Sequence, residues 1–189
     1  MKKVTLQLFT FLTFISTIVN AQSQNSLAVD GADDFVSIPG ASALIVGSST
    51  ISLTSWVYPT NANPVFPNFD GFAGIRNNLD ADFYFMQYSP STAIEARFTN
   101  QNGTVHNITW NGLQLNVWQH LALTYDGAAL TLYYNGAPVI SAPASGTIAN
   151  ATEDLWIANL PYDVNNYYLT GKIDEVSFWN KTLSAQEVD

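Results

Sequence analysis

The side chains able to do chemistry in this chain are oxygen donors and aromatic rings. There is no cysteine, and His106 and His120 are the only histidines, so a thiol nucleophile is absent and neither a zinc-type spacing nor a catalytic triad can be assembled. Four glutamates, Glu95, Glu153, Glu175 and Glu187, are scattered along the chain. The adjacent pairs Glu153-Asp154 and Asp174-Glu175 project to opposite faces of any strand that carries them and cannot share a cleft. Aspartate and asparagine are instead gathered in turns. Asp30, Asp33 and Asp34 share one turn, and Asp70-Gly71 and Asp80-Ala81-Asp82 are further oxygen-rich stretches. Such oxygens suit a hard cation, and they serve equally to shape a turn through bonds to its own backbone.

Two long loops combine rings with amides and carboxylates, the mixture that stacks on the apolar side of a sugar and bonds its hydroxyls. One is Asn61-Ala62-Asn63-Pro64-Val65-Phe66-Pro67-Asn68-Phe69-Asp70; the other is Pro161-Tyr162-Asp163-Val164-Asn165-Asn166-Tyr167-Tyr168. Loops are where function concentrates, so Phe66, Asn68, Asp70, Tyr162, Asn165 and Tyr167 are the candidate ligand contacts. The competing expectation is that Phe66, Phe69 and Tyr167 plug the ends of the fold. Trp56, Trp118, Trp156 and Trp179 lie within strong strand patterns and are expected in the core; Trp110, beside Asn111-Gly112, is the tryptophan expected at the surface.

Stepping from these residues to the elements that hold them, apolar and polar residues alternate with period two in one short segment after another, and no stretch keeps a helical period. Strands are expected at 26–29, 35–38, 51–57, 72–76, 83–88, 94–99, 105–110, 118–125, 130–134, 138–140, 154–158 and 172–179. Asp126-Gly127 and Asn135-Gly136 interrupt alternating runs and read as type I′ hairpin turns, giving a three-stranded meander. Ser184 and Glu187 form the capping box of a short terminal helix, and the stop just beyond it reads as a fragment of something longer. So many hairpin strands require two sheets packed face to face or a closed barrel. An all-β, two-sheet antiparallel jelly roll is the expected fold.

Lys2 and Lys3 precede an apolar run from Leu6 to Val19 and the small-residue stop Val19-Asn20-Ala21, the pattern of a cleaved signal peptide over 1–21. The run is short of the roughly 20 residues a membrane span needs, so no membrane insertion is expected after cleavage. Residues 22–189 are then a single exported domain, at the cell surface or secreted, held without disulfides. Fifteen acids against six basic residues, two of them in the leader, offer no basic patch, which excludes nucleic acid as a partner. Sequons at Asn102, Asn107, Asn150 and Asn180 matter only in a host that glycosylates exported proteins.

Asn25-Ser26-Leu27-Ala28-Val29-Asp30-Gly31, Asp34-Phe35-Val36 and Ile51-Ser52-Leu53-Thr54-Ser55-Trp56-Val57 resemble the opening of laminin-G/concanavalin A-like domains of bacterial secreted proteins. Trp118-Gln119-His120-Leu121-Ala122-Leu123-Thr124-Tyr125-Asp126-Gly127 looks like that family's central hairpin, and Gly171-Lys172-Ile173-Asp174-Glu175-Val176 with Trp179 looks like its closing strand. The resemblance implies a jelly roll whose first and last strands are neighbours, where Asp30, Asp34 and Asp174 could hold a structural calcium. The alternative is that Asp174 satisfies a buried amide. Glycosidases of this fold carry Glu-x-Asp-x-x-Glu on one strand, which is missing here. The expected function is a non-catalytic extracellular module that binds glycan, or an adhesion module. The alternatives are an accessory domain of a secreted glycoside hydrolase, or a spacer that meets an extracellular protein.

Overall fold

Alternation along each strand decides the architecture, because each strand buries one parity of side chains and needs a second layer to bury them against. The computed structural model describes residues 25–163 and 165–188; the signal peptide expected over 1–21 lies outside them. Two six-stranded sheets pack face to face. In spatial order the first holds β1 (Leu27–Asp30), β12 (Thr170–Trp179), β3 (Ile51–Pro59), β8 (Gln119–Tyr125), β9 (Ala129–Tyr134) and β10 (Ala137–Pro143). The second holds β2 (Val36–Ile38), β11 (Leu155–Ile157), β4 (Asp70–Ile75), β5 (Phe83–Tyr88), β6 (Ala93–Thr99) and β7 (Val105–Asn111). All strand pairs within these sheets are antiparallel, and β1 lies beside β12.

Leu53, Val57, Leu121 and Leu123 from one sheet meet Phe72, Phe83, Phe85 and Phe98 from the other in one continuous apolar core. Tyr84 and Met86, of opposite parity to the β5 phenylalanines, lie on the outer side of the second sheet in a separate cluster with Phe69, Leu160 and Tyr167. Asn135 and Gly136 both take positive φ, as a type I′ turn requires. The Asp126-Gly127 turn differs from expectation. It is a longer connection in which Asp126 Oδ1 accepts the N–H groups of Ala128 and Ala129 at 2.9 and 2.7 Å, and Gly127 alone takes positive φ. The terminal helix α1 (Ala185–Val188) follows Ser184, whose N–H and hydroxyl donate to the Glu187 carboxylate at 2.9 and 3.0 Å. Leu183 and Val188 dock on Ala122, on the outer face of the first sheet.

One irregularity governs what that outer face presents. On β12, Asp174 pairs with Trp56 and Ser177 with Thr54, so Glu175 and Val176 together oppose Ser55 alone. This is a β-bulge, with Glu175 at φ 49°. An extra residue reverses the parity of everything after it. Phe178 therefore packs against the core and Trp179, opposite Ser52, faces out.

Candidate functional site

The tryptophans are distributed in the reverse of the sequence expectation. Trp56 shares the parity of Ser52 and Thr54 and faces out of the first sheet; Trp118, half-buried, packs its ring on Tyr58 at 5.6 Å. Trp179 is 43 % exposed. Trp156 lies on the outer side of the second sheet, its ring 5.3 Å from Phe35. Trp110, expected at the surface, packs against the core with Tyr134 at 4.8 Å. The signal for Trp56 was present, since Ile51, Leu53 and Val57 had already claimed the inward parity. The signal for Trp179 was not, because the bulge that turns it is a tertiary feature.

Three of these rings line a groove of about 490 Å³ on the first sheet, walled by α1. Trp56, Trp118 and Trp179 supply its apolar surface, and His120, Asn135 and Glu175 its hydrogen-bonding groups. The His120 ring lies 5.4 Å from that of Trp56, and the His120 N–H donates to Asn135 Oδ1 at 2.8 Å, which ties the groove floor to the β9–β10 turn. Glu175 is brought to the groove by the bulge and is exposed. Glu187, at the far wall, is held by the Lys181 ammonium and the Ser184 N–H and hydroxyl, which pull its carboxyl down to about 2. A carboxyl so stabilised as its anion cannot protonate a leaving group at neutral pH.

The two loops expected to bind ligand converge at the other sheet. Phe69 packs on Tyr167 with centroids 5.3 Å apart, and on Tyr88 at 4.6 Å. Tyr167 is 2 % exposed, so its ring is enclosed in this cluster, whereas Phe66, Asn68 and Tyr162 are exposed and Asn165 is half-buried. Arg76, which the sequence reading did not single out, is the centre of the arrangement. Its guanidinium sits 4.5 Å from the Tyr162 ring centroid and 5.0 Å from those of Tyr84 and Tyr167, which fastens the 161–168 loop to the sheet. Beside it, Glu95 accepts the Tyr84 hydroxyl at 2.9 Å and pairs with Arg97 at 3.0 Å. Burial, then the Glu95 charge, push the Tyr84 phenol up. An arginine in a strand pattern gives no sequence sign of three tyrosines arriving from elsewhere.

At the edge of this cluster a smaller cleft of about 290 Å³ opens between strand ends, lined by Asn61, Asn63, Asn68, Asp70, Asn166 and Thr170 together with Gly31, Phe69 and Tyr168. Asp70 is 1 % exposed. Burial raises its carboxyl to about 7, against the opposing pull of the Asn61 amide and the Thr170 N–H.

Asp30, Asp34 and Asp174 do not come together. Asp30 and Asp34 are exposed and serve their own turn, Asp30 Oδ1 accepting Ala32 N–H at 2.9 Å and Asp34 Oδ2 accepting Asp30 N–H at 3.4 Å. Asp30 pairs with Thr170, four residues from Asp174, or about 13 Å along the strand. Asp174 Oδ1 accepts the Glu175 N–H within the bulge at 2.9 Å. Among the described residues no three His, Cys, Asp or Glu side chains are grouped closely enough to share a metal ion, and no helix is long and apolar enough to cross a membrane.

A twelve-stranded antiparallel sandwich with a depression on an outer face and another at the rim is a concanavalin A-like jelly roll, a fold that serves binding modules. The chain belongs to the laminin-G family described as the concanavalin A-like lectin/glucanases superfamily, whose model matches residues 30–189. Pappalysin-1 of Mus musculus is 32% identical over 73 residues, 38% of this chain; the match spans 4% of that protein's length. Among the solved structures that share the fold are the three that follow. The native heptameric SAP-like pentraxin of Limulus polyphemus is 15% identical with a TM-score of 0.58, over 76% of this chain and 70% of that one. Domain 4 of AbnA, a GH43 extracellular arabinanase of Geobacillus stearothermophilus in complex with arabinotriose, is 17% identical with a TM-score of 0.57, over 86% and 74%. The binding domain of Paraclostridial Mosquitocidal Protein 1 is 16% identical with a TM-score of 0.59, over 87% and 44%.

Proposed function

We propose that the chain is a non-catalytic, extracellular carbohydrate-binding module, and that the tryptophan groove is where the sugar lies. The observation that carries this reading is the combination in one open groove of three outward indoles with Asn135, Glu175 and His120. Indole faces stack on the apolar side of a pyranose or furanose, and the surrounding amide and carboxylate accept or donate to its hydroxyls. A hydrolase would need a carboxyl poised to donate a proton. Glu187 is shifted the opposite way, and Asp70, which is shifted upward, lines the rim cleft with no second carboxylate among its lining residues.

A role as accessory domain of a secreted glycoside hydrolase is the second reading, favoured by the likeness to an arabinanase domain in complex with arabinotriose. The exposed Phe66, Asn68 and Tyr162 of the rim loops provide a further contact surface, for glycan or for an extracellular protein partner.

The test is a glycan array probed with the purified chain and with its Trp179→Ala variant. Binding to a defined set of neutral glycans by the parent, lost in the variant, is expected. No binding by the parent, or equal binding by both, would overturn the reading and leave the protein-binding or spacer role.

A further inference from the structure

Arginine occurs twice in the sequence, at positions 76 and 97, in a chain with fifteen acids. The fold brings both to one place. Ile75, Ala96 and Phe98 belong to the core, so Arg76, Glu95 and Arg97 take the opposite parity and lie on the outer side of the second sheet. The two guanidiniums flank the Tyr84 ring, Arg76 at 5.0 Å and Arg97 at 5.7 Å from its centroid. Cations held so near each other repel unless anions stand among them. Glu95 and Asp82 are acids within electrostatic reach of Arg97, and both are committed. Glu95 Oε1 accepts the Tyr84 hydroxyl and pairs with Arg97 Nη2, at 2.9 and 3.0 Å. Asp82 accepts the Asn77 and Asn78 N–H groups with one oxygen and the Thr99 hydroxyl with the other.

Donors are left over. Arg76 Nε donates to Asn78 Oδ1 at 2.8 Å, but Arg76 Nη1 and Arg97 Nε are buried and have no hydrogen-bond partner among the described residues. Arg76 is 6 % exposed. Ring faces balance its charge and leave the Nη1 N–H groups unmet, and a guanidinium donor withdrawn from water without an acceptor is costly. An incoming oxyanion would relieve that cost. The approach is open at Arg97, whose side chain is 23 % exposed. The exposed Tyr162 lies on one side, its ring 4.5 Å from the Arg76 guanidinium. On the other side β7 sets Asn107 opposite Arg97 and Thr109 opposite Glu95, both exposed.

A guanidinium fork matches a planar carboxylate, and Glu95 beside it opposes a doubly charged phosphate. A phenol ring flanked by an amide and a hydroxyl suits the body of a pyranose, stacking on its apolar side and bonding its hydroxyls. We propose that the outer face of the second sheet binds a uronic acid, its carboxylate held by Arg97 with Arg76 behind, its ring against Tyr162 and its hydroxyls on Asn107 and Thr109. None of these residues lines the tryptophan groove. An acidic sugar here and a neutral one there would not compete, and this site does not rest on the reading of the groove.

The experiment is isothermal titration calorimetry of the full chain with trigalacturonic acid, with its methyl ester, and with hexaglutamate, an acidic peptide that has no sugar ring. A chelator is present throughout, so that no bridging cation contributes. The acid is expected to bind saturably, the ester about 30-fold more weakly, the scale of one charge-assisted hydrogen bond, and the peptide not at all. Arg97→Lys keeps the charge and the Glu95 pair but loses the fork, and is expected to bind about tenfold more weakly. Thr109→Ala, an exposed change that leaves the packing intact, is expected to lose about threefold. Lys172→Gln, which removes a cation from β12, is expected to bind like the parent. No binding of the acid, equal binding of the ester or of hexaglutamate, or a loss in Lys172→Gln as large as that in Arg97→Lys would each overturn the proposal. So would parent-like binding by Thr109→Ala and Arg97→Lys together; if Arg97→Lys fails to fold, Thr109→Ala decides. These substitutions leave the groove untouched, so their outcome is separate from that of the glycan array.

Discussion

The tryptophan groove and the Asp70 cleft are built from the same two kinds of material, rings and oxygens, in opposite proportion. On the outer face of the first sheet the strands run side by side, and outward residues on β3 and β12, with Trp118 leading into β8, present their rings together; the acids there are solvated or already paired. At the rim the strands end, and what converges is loop: amides, carbonyls, a hydroxyl and a carboxylate withdrawn from water. A flat face favours stacking on an uncharged ligand. A rim of loop ends, lined by amides and a buried carboxyl, favours directional hydrogen bonds. The two regions should therefore respond to different ligands and to different substitutions, and that independence can be attacked directly.

The largest effect is expected from deleting Glu175. Removing the bulge turns Ser177 to Trp179 over, draws Phe178 out of the core and drives Trp179 in. Withdrawing the partly buried Phe178 and forcing the Trp179 indole inward together cost about 3 to 5 kcal/mol, so we expect a steep fall in folded yield, checked by near-ultraviolet circular dichroism. Next, Arg76→Ala removes three ring contacts that hold the 161–168 loop, and about 2 to 4 kcal/mol of stability is expected to go with them, measured by urea unfolding. It should leave sugar binding in the groove unchanged, because no residue of that loop lines the groove. A loss of sugar binding as large as the loss of stability would break the comparison.

Trp56→Ala is expected to lower glycan affinity about 30-fold, the scale of a central aromatic contact worth about 2 kcal/mol, with the rim loops undisturbed; isothermal titration calorimetry reads the affinity. The smallest effect concerns pH. The Glu187 carboxyl is held down to about 2 by Lys181 and Ser184, so its anion stabilises the folded state more than the unfolded one. That contribution is complete above the ordinary carboxylate range near 4.5 and fades as pH falls from there toward 2. Fraying of α1 over that window, seen as faster amide exchange at Val188 and weaker sugar binding, with little change at Glu187→Gln, would sharpen the assignment of α1 as a groove wall.

Much of the fold could be read along the chain. The parity of Ile51, Leu53 and Val57, the Asn135-Gly136 turn and the Ser184-Glu187 cap are local relations, and local relations survive in sequence because each is decided by neighbours a few residues away. The two loops are legible as loops from their composition, and the structure brings Asn68, Asp70 and Tyr167 of the candidate contacts into one region with Phe69 and Asn166.

What the chain could not reveal depends on partners far away in sequence. The bulge at Glu175 arises from how β12 meets β3, and it alone decides that Trp179 faces solvent. Asp70 looks like any loop acid until β12 and the 161–168 loop close over it and strip away its water. Arg76 becomes the anchor of that loop through tyrosines up to 91 residues away. Strand identity is thus a property of local pattern, whereas the face a ring occupies and the charge state a carboxyl prefers are set by register and desolvation, which exist only once the two sheets have closed.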